Sequence, residues 1–379
     1  MNNSSEIHLF CLWQYGIKYS DLVIAEIKTN FSILSVTDVT WQGQSNLQSL
    51  LRFYINPRWI IFWKYLRCGG APVRMIVVRD DNPVYAERQT NSGSQLVNTK
   101  LFDTKIKLRK TLPNGHWIHA TNSEFEFNFN YSMLMARSPE LSELQQAPEW
   151  NGTVQKQITQ APGTRPWKDL QEMFDFIRGF DRYAVLRNFE NLPHSCQLGI
   201  HSDIDILTDT PAELIRLLNL KRASYLPGRS VWRCRVADSF VNIDIRSPGD
   251  GYYPPEMTAL LLQTSCWHNN VRVLTEENYF YSLCYHAAIH KYQLSEEYLQ
   301  RLLTMAEYLD IKQPAGTDPK KFITQILWAW MQKNNFSFTE PKDLTVNYNS
   351  CYLPLGTSRT FKRQLKDKFF QLLGKKSRQ

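Results

Sequence analysis

Three aspartates have the spacing from which metal-dependent chemistry can be built. Asp203 and Asp205 are separated by one isoleucine in H-S-D-I-D-I-L, residues 201–207, and Asp244 lies in V-N-I-D-I-R, residues 241–246. Because side chains alternate along a strand, Asp203 and Asp205 share one face while the isoleucines enter the core. If the two strands are neighbours, the three carboxylates share one site, which could hold Mg²⁺ or Mn²⁺ for phosphoryl transfer. By itself, a D-x-D pair more often marks a solvated strand end.

A histidine in the first half of the chain offers a second kind of chemistry. His119 lies in G-H-W-I-H-A-T-N-S, residues 115–123, just before a helix that carries Glu124 and Glu126. A neutral imidazole is a competent nucleophile toward phosphate, and a nearby carboxylate could fix its tautomer. His119 is therefore a candidate for accepting a phosphoryl group or holding a nucleotide.

Two further patterns have competing interpretations. His286 and His290 lie one helical turn apart, but A-A-I stands between them where zinc proteases carry a glutamate, which favours core histidines over a zinc site. Lys291, which follows, is a candidate phosphate ligand. The turn G-D-G-Y-Y, residues 249–253, either lines a site in which its tyrosines stack a base or sugar, or is a packed hairpin turn.

Hydrophobic periodicity indicates the elements that must position these residues. In the first half it predicts strands at 8–13, 33–39 and 73–78 and helices at 21–30, 57–68 and 124–134, with a polar stretch between residues 79 and 123. In the second half it predicts strands at 183–186, 204–207, 231–236 and 240–245, and helices at 167–180, 210–219, 276–292, 295–309 and 319–333. Residues 146–166, rich in proline, glycine and glutamine, predict a linker between the halves.

Residues 183–246 resemble the core of the nucleotidyltransferase superfamily, which places D-h-D on one strand and a third acidic residue on a later strand, h being apolar. The resemblance implies that Asp203, Asp205 and Asp244 bind metal and that Asp244 orients or deprotonates an acceptor hydroxyl. Where the superfamily has a Gly-Ser turn, this chain has L-R-N-F-E, residues 186–190. Arg187 is then the candidate phosphate ligand, assisted by Arg246 and Lys291.

Residues 115–123 are similar to the active-site segment of nucleoside diphosphate kinases, where H-G-S-D-S follows a strand and carries the phosphorylated histidine. His119 and Thr121 match that pattern. The resemblance covers about 130 residues, implies a ferredoxin-like fold, and makes Arg88, Arg109 and Thr121 candidate nucleotide ligands. The family's K-P-D-G motif is replaced by Q-Y-G-I at 14–17, and His116 stands where the family has an asparagine.

The charge is concentrated at the C-terminus. Of the net +8, residues 359–379 contribute +7, so the remaining 358 residues are nearly neutral, which argues against a nucleic-acid partner. In the tail, apolar residues recur at helical spacing and basic residues fill the positions between them. This pattern is typical either of a helix on an anionic membrane or of a terminal helix packed on the protein. The longest apolar runs are too short to cross a bilayer, and the N-terminus lacks a secretory signal. We therefore expect a cytoplasmic protein, peripheral at the inner face of the membrane if the tail binds lipid.

These patterns predict an α/β (α+β) protein. Its parts would be a nucleoside diphosphate kinase-like, ferredoxin-like domain (1–145), a linker (146–166), a nucleotidyltransferase-like core with a mixed sheet (167–255), a helical subdomain (256–345) and a basic amphipathic tail (357–379). We expect a magnesium-dependent nucleotidyl- or phosphotransferase that uses a nucleoside triphosphate or nucleotide conjugate on a glycan precursor or a protein. The alternatives are a catalytically retired nucleotide-binding or scaffold protein and, third, a polymerase-type enzyme acting on nucleic acid.

Overall fold

The computed structural model describes residues 5–42, 46–54, 58–90, 93–194, 203–225, 229–354, 357, 360, 363 and 364. They divide into two compact units. The first comprises the described parts of Met1–Lys168, Glu172–Asp181 and Ala212–Leu220, and the second those of Asp169–Gln171, Arg182–Pro211 and Lys221–Gln379. Both contain helices and open sheets, which confirms the mixed α/β class.

The first unit is built on one mixed sheet with the strand order β6-β1-β3-β2-β7 and a separate β4-β5 hairpin. Its strands are β1 (Glu6–Leu12), β2 (Ser32–Gln42), β3 (Val73–Asp80), β4 (Tyr85–Thr90), β5 (Gly93–Asn98), β6 (Ile118–Ala120) and β7 (Gln155–Gln160). Its helices are α1 (Ser20–Lys28), α2 (Asn46–Phe53), α3 (Arg58–Cys68), α4 (Thr99–Thr111), α5 (Glu124–Met135) and α6 (Leu141–Gln146), with most of α7 (Leu170–Phe176) and α8 (Pro211–Leu217).

Strand β1 is an interior strand of this sheet, antiparallel to its two neighbours, β3 and β6. Six of its seven residues are buried, as expected for a strand covered on both faces. Phe10, Ile76 and Val78 pack there with residues of α1 and α4 to form the core. Strand β2 is antiparallel to β3 and parallel to β7.

Two expectations for the first half are corrected. The stretch 146–166, predicted as a linker, contains β7, which pairs with β2 from Thr37 to Gln42 and is thus part of the sheet. Five of the six β7 side chains are exposed, so backbone hydrogen bonds define a strand that has no apolar alternation. The polar stretch before residue 123 contains the β4-β5 hairpin and helix α4. The other predicted strands and helices of this half are confirmed, with ends shifted by one to three residues.

The second unit has a mixed sheet in the order β10-β11-β12-β9-β8-β14-β13. Its strands are β8 (Tyr183–Val185), β9 (Asp203–Thr208), β10 (Lys221–Arg222), β11 (Val231–Val236), β12 (Ser239–Arg246), β13 (Cys266–His268) and β14 (Val271–Val273). Its helices are α9 (Pro255–Gln263), α10 (Glu276–Tyr285), α11 (Glu296–Tyr308) and α12 (Pro319–Lys333). The predicted strand pair at 231–236 and 240–245 is confirmed as antiparallel β11 and β12. The helix predicted at 276–292 continues beyond α10 as a π-helical turn, His286–His290.

The basic tail falls almost entirely outside the described residues, and so do His201 and Ser202 before the D-I-D segment. Within the tail, Arg363 is described: it is buried and donates hydrogen bonds to the carbonyl oxygens of Val346 (2.6 Å) and Pro341 (2.7 Å). Across the described ranges, no helix combines the length and apolar character needed to span a membrane.

Candidate functional site

The sheet of the second unit brings two of the three predicted aspartates side by side. Strands β9 and β12 are parallel neighbours, and their register pairs Asp205 with Asp244 and Asp203 with Asn242. Because the flanking isoleucines are buried, Asp203, Asp205 and Asp244 project from the same face of the sheet. The expectation that these strands are neighbours is therefore confirmed.

Each carboxylate of the central pair is bound by an arginine. Arg187, directly after β8, donates from Nη2 to Asp205 Oδ1 (2.7 Å), and Arg246 donates from Nη2 to Asp244 Oδ2. Burial lowers the pKa of the Arg187 guanidinium, but the Asp205 carboxylate together with Tyr252, Tyr253 and Tyr298 outweighs that effect and holds the pKa well above its ordinary value. Both arginines that the resemblance assigned to phosphate thus contact the candidate metal ligands.

Asp244 retains an oxygen that no described residue satisfies. Its Oδ1 is buried and accepts no hydrogen bond within the part of the chain that the structure describes. Burial raises the pKa of Asp244 to about 6; Arg246 lowers it and the neighbouring carboxylate of Asp205 raises it. A carboxylate in this state can accept a proton or a cation close to neutral pH.

Asp203 occupies a different environment at the start of β9. It is exposed, and its Oδ1 accepts a hydrogen bond from Asn242 Nδ2 (3.1 Å). Among the residues that the structure describes, no three His, Cys, Asp or Glu side chains are grouped closely enough to hold a metal ion. The arrangement is thus a pair, Asp205 and Asp244, with the third carboxylate farther along the strand.

A buried hydrogen-bond chain extends from Asp205 into the helical part of the unit. Arg187 Nη1 donates to Tyr252 Oη (3.2 Å), Tyr252 Oη lies 2.7 Å from His286 Nδ1, and His286 Nε2 lies 3.2 Å from Tyr298 Oη. Burial and the nearby Arg187 keep the pKa of His286 well below its ordinary value, so the ring is neutral and donates through one nitrogen while accepting through the other. The chain thus binds Arg187 through Nη1, while Nη2 contacts Asp205.

Lys291 lies close to Arg187 and Asp205. Burial lowers the pKa of its ammonium, Arg187 lowers it further and Asp205 raises it. Its Nζ lies 5.7 Å from the centroid of the Tyr298 ring. Of the residues predicted for this site, Arg187, Arg246 and Lys291 are therefore all near the two carboxylates.

The structure favours the packed-turn interpretation of residues 249–253 and adds one residue to the site. The tyrosines of the 249–253 turn are almost fully buried, and Tyr252 packs under Arg246 (4.3 Å from guanidinium carbon to ring centroid), so neither ring is open to stack a base. Asp343, which no pattern singled out, is buried with its Oδ2 3.7 Å from Arg246 Nη1. Its position in the P-K-D-L stretch after the last helix carried no signal, because only tertiary contact brings it to Arg246.

His119 lies in a second polar cluster, in the first unit. Strand β6 pairs with β1 and sets His119 opposite Cys11. Its Nε2 accepts a hydrogen bond from Asn130 Nδ2 (2.9 Å) and lies 3.5 Å from Glu126 Oε1. Burial, then Lys105, Lys64 and Arg109, hold the pKa of the imidazole well below its ordinary value. The ring is therefore neutral at physiological pH, as phosphate attack requires.

Three cations from two helices face this histidine. Burial lowers the pKa of Lys64 on α3 to about 8 and that of Lys105 on α4 to about 8, and it also lowers the pKa of Arg109. Lys105 Nζ donates to Asn122 Oδ1 (2.6 Å) and to the Ala120 carbonyl (3.2 Å). Arg109 Nε is buried and has no hydrogen-bond partner among the described residues. The cluster holds more positive charge than the single carboxylate of Glu126 offsets. The sequence marked Arg109 but gave Lys64 and Lys105 no role.

The remaining predicted residues of the first unit have other partners. Arg88 lies on the β4-β5 hairpin, where its Nη2 is 3.9 Å from Asp103 Oδ2. Thr121 is fully buried, and its hydroxyl accepts from Leu9 N (3.2 Å), joining β6 to β1. Both residues thus make structural contacts, and their assignment to a nucleotide stays a prediction.

No protein-family model, curated protein or solved structure matches this chain. The likeness to nucleotidyltransferases and to nucleoside diphosphate kinases therefore stays a prediction from motifs. What the two sites can do is inferred below from their geometry.

Proposed function

We propose that the second unit is a magnesium-dependent nucleotidyl- or phosphotransferase of the nucleotidyltransferase type. The observation that carries this proposal is the register of β9 and β12, which sets Asp205 beside Asp244 with Asp203 on the same face. The donor would be a nucleoside triphosphate or nucleotide conjugate, because two arginines and Lys291 surround the carboxylates. The acceptor would carry a hydroxyl, as a glycan precursor or a protein does.

The residues present fit a magnesium ion. Mg²⁺ prefers oxygen ligands, and it is commonly held by one or two carboxylates together with substrate phosphates rather than by an all-protein cage. Asp205 and Asp244 supply the carboxylates, and the unsatisfied Oδ1 of Asp244 is the oxygen best placed to accept a cation. When bound, the ion would neutralise phosphate charge and align the reacting oxygens.

The protein's own groups would do the rest. Arg187, Arg246 and Lys291 would hold the phosphates through charge-assisted hydrogen bonds. The raised pKa of Asp244, about 6, makes it a stronger base than an ordinary aspartate, suited to accept the proton of an acceptor hydroxyl near neutral pH. Asp205 is paired with Arg187, whereas Asp244 keeps one oxygen that accepts no hydrogen bond from a described residue, so the two carboxylates are suited to different tasks.

The competing interpretation is a catalytically retired nucleotide-binding protein, and the same ion pairs favour it. If the arginines never leave Asp205 and Asp244, their positive charges disfavour a metal ion at these carboxylates. Turnover of an α-labelled nucleoside triphosphate with Mg²⁺ distinguishes the two cases. We expect Asp205→Asn and Asp244→Asn each to lower turnover at least about 100-fold, while Asp209→Asn, a control just after β9 whose partner is Arg182, keeps it. Nucleotide binding without turnover across a panel of glycan and protein acceptors would favour the retired protein.

A second candidate function belongs to the first unit: binding of a nucleotide's phosphates at His119, with phosphoryl transfer to the imidazole. This function is favoured because the neutral histidine is surrounded by more cationic side chains than the one carboxylate, Glu126, can neutralise. The strand order β6-β1-β3-β2, with α1 after β1 and α4 before β6, supports the ferredoxin-like fold proposed for this unit. If the Asn130 side-chain amide were flipped, its oxygen would accept a hydrogen bond from His119 Nε2–H. The lone pair of His119 Nδ1 would then be free to attack phosphate.

Acid-labile labelling from γ-labelled nucleoside triphosphate tests this second function. Label should be lost in His119→Ala and retained in Asp205→Asn, which alters the other unit. His116→Ala is the matched control, since His116 lies on the same segment but is exposed. Absence of label at every nucleotide concentration would leave His119 a binding residue only, and unchanged nucleotide affinity in Lys105→Met would remove that role too.

A further inference from the structure

Helix α3 presents an unusual surface to solvent. Trp59, Phe62, Trp63 and Leu66 are 66%, 46%, 56% and 48% exposed. Their spacing of three and four residues places them on one side of the helix, and we call these four residues the aromatic face. Its inner side is occupied by Ile61 and Cys68, which are fully buried. A cluster of exposed large apolar side chains is typical of a binding surface, whereas apolar side chains scattered singly are normal on any protein surface.

Two neighbouring segments extend this surface. Gly70 N, just after α3, donates to Gln14 Oε1 (3.0 Å), and Trp117 Nε1 donates to the Arg67 carbonyl (2.7 Å). Residues 14–19 and 115–117 therefore lie beside the end of α3. Together with α3, these segments contain four Lys or Arg residues and no Asp or Glu.

The charge and residue types decide what this surface would meet. Lys18 and Arg67 are exposed beside the aromatic face, whereas Lys64 is directed toward His119 and Tyr54. Tryptophan, phenylalanine and leucine on one side with flanking cations and no acidic residue are typical of helices that lie in the headgroup region of an anionic bilayer. Nucleic acid is disfavoured because the exposed face includes an aliphatic residue, Leu66, and the phosphate-binding cations are few.

We propose that the aromatic face binds an anionic membrane surface, with Trp59 and Trp63 inserted at headgroup level and Lys18 and Arg67 contacting lipid phosphates or carboxylates. This contact is made by described residues of the first unit and is separate from the basic C-terminal tail. It does not depend on either proposed activity.

Vesicle sedimentation of the full chain tests the proposal, with vesicles of phosphatidylcholine alone or mixed with phosphatidylserine. The wild type should bind the mixed vesicles, with affinity that falls as salt is raised. The double substitution Trp59→Ser with Trp63→Ser should weaken binding at least about tenfold, because it removes the two indole rings that would be buried in the bilayer. Trp267→Ser is the matched control, because Trp267 is a similarly exposed tryptophan (48%) on β13 of the second unit. Unchanged circular dichroism spectra would show that both variants are folded.

Three results would overturn the proposal. The first is equal vesicle binding by the double variant and the wild type, which would assign binding to the tail. The second is a dimer in sedimentation equilibrium that the double variant lacks, which would make the face a contact between copies. The third is binding of single-stranded RNA, lost in the double variant, without binding to vesicles. Blue-shifted tryptophan fluorescence in mixed vesicles, lost in the double variant but kept in Trp267→Ser, would support it.

Discussion

Binding of a nucleotide in the first unit should take up about one proton at pH 8. The pKa values of Lys64 and Lys105 are each about 8, because burial disfavours their charged forms. At that pH each lysine is about half protonated, and a bound phosphate would raise both pKa values and complete the protonation, a gain of about half a proton per lysine. At pH 7 each is already about nine-tenths protonated, so the total uptake should fall to about 0.2 protons.

Isothermal titration calorimetry with ADP measures this uptake directly. The observed binding enthalpy, plotted against the ionisation enthalpy of the buffer, has a slope equal to the number of protons exchanged. Lys64→Met and Lys105→Met should each halve the slope at pH 8. Lys100→Met is the control, because Lys100 lies on the same helix as Lys105 but pairs with Asp80 (2.9 Å). A slope near zero at pH 8 with ADP bound, or a slope that neither lysine variant changes, would refute the reasoning.

Three perturbations test the second unit. Gly251→Ala should lower the free energy of unfolding in urea by more than about 3 kcal/mol, since φ is +77° and the added Cβ would lie 2.1 Å from the Glu340 carbonyl oxygen. Gly249→Ala, at φ +83° with nothing within 4 Å, should cost only about 1–2 kcal/mol; equal losses would contradict this. His286→Ala should cost about 1–3 kcal/mol in thermal unfolding through the buried hydroxyl of Tyr252 that loses its partner, and an unchanged melting temperature would argue against the buried chain. The folded-state pKa of Asp244, about 6, lies above its ordinary 3.8, so the folded state binds more protons between these values. Stability should therefore fall by about 2 kcal/mol as pH rises from 4 to 6, and a profile unchanged in Asp244→Asn would contradict the assignment.

Local pattern predicted many of the strands and helices and the face on which the three aspartates lie, but not the β4-β5 hairpin or α4. The alternation of aspartate and isoleucine in β9 and β12 fixed which side chains enter the core, because that period is a property of any strand. Helices α10 to α12 were likewise visible from their apolar spacing. Strand β7 was not visible, since backbone pairing with β2 defines it and most of its side chains face solvent.

Tertiary structure decided which of these residues meet. The parallel register that sets Asp205 beside Asp244 joins segments some forty residues apart, and no local pattern specifies such a register. The same holds in the first unit, where Lys64 on α3 and Lys105 on α4 converge on His119 only because α4 packs against β6 and α3 packs against residues 115–117, which lead into β6. By itself, the sequence determined the chemistry available at the three aspartates and at His119. The packing of the sheets and helices determined that arginines bind two of those aspartates. It also determined that lysines lie near the histidine with more positive charge than the nearby carboxylate offsets. Both results depend on burial and charge, which are set by neighbours far away along the chain.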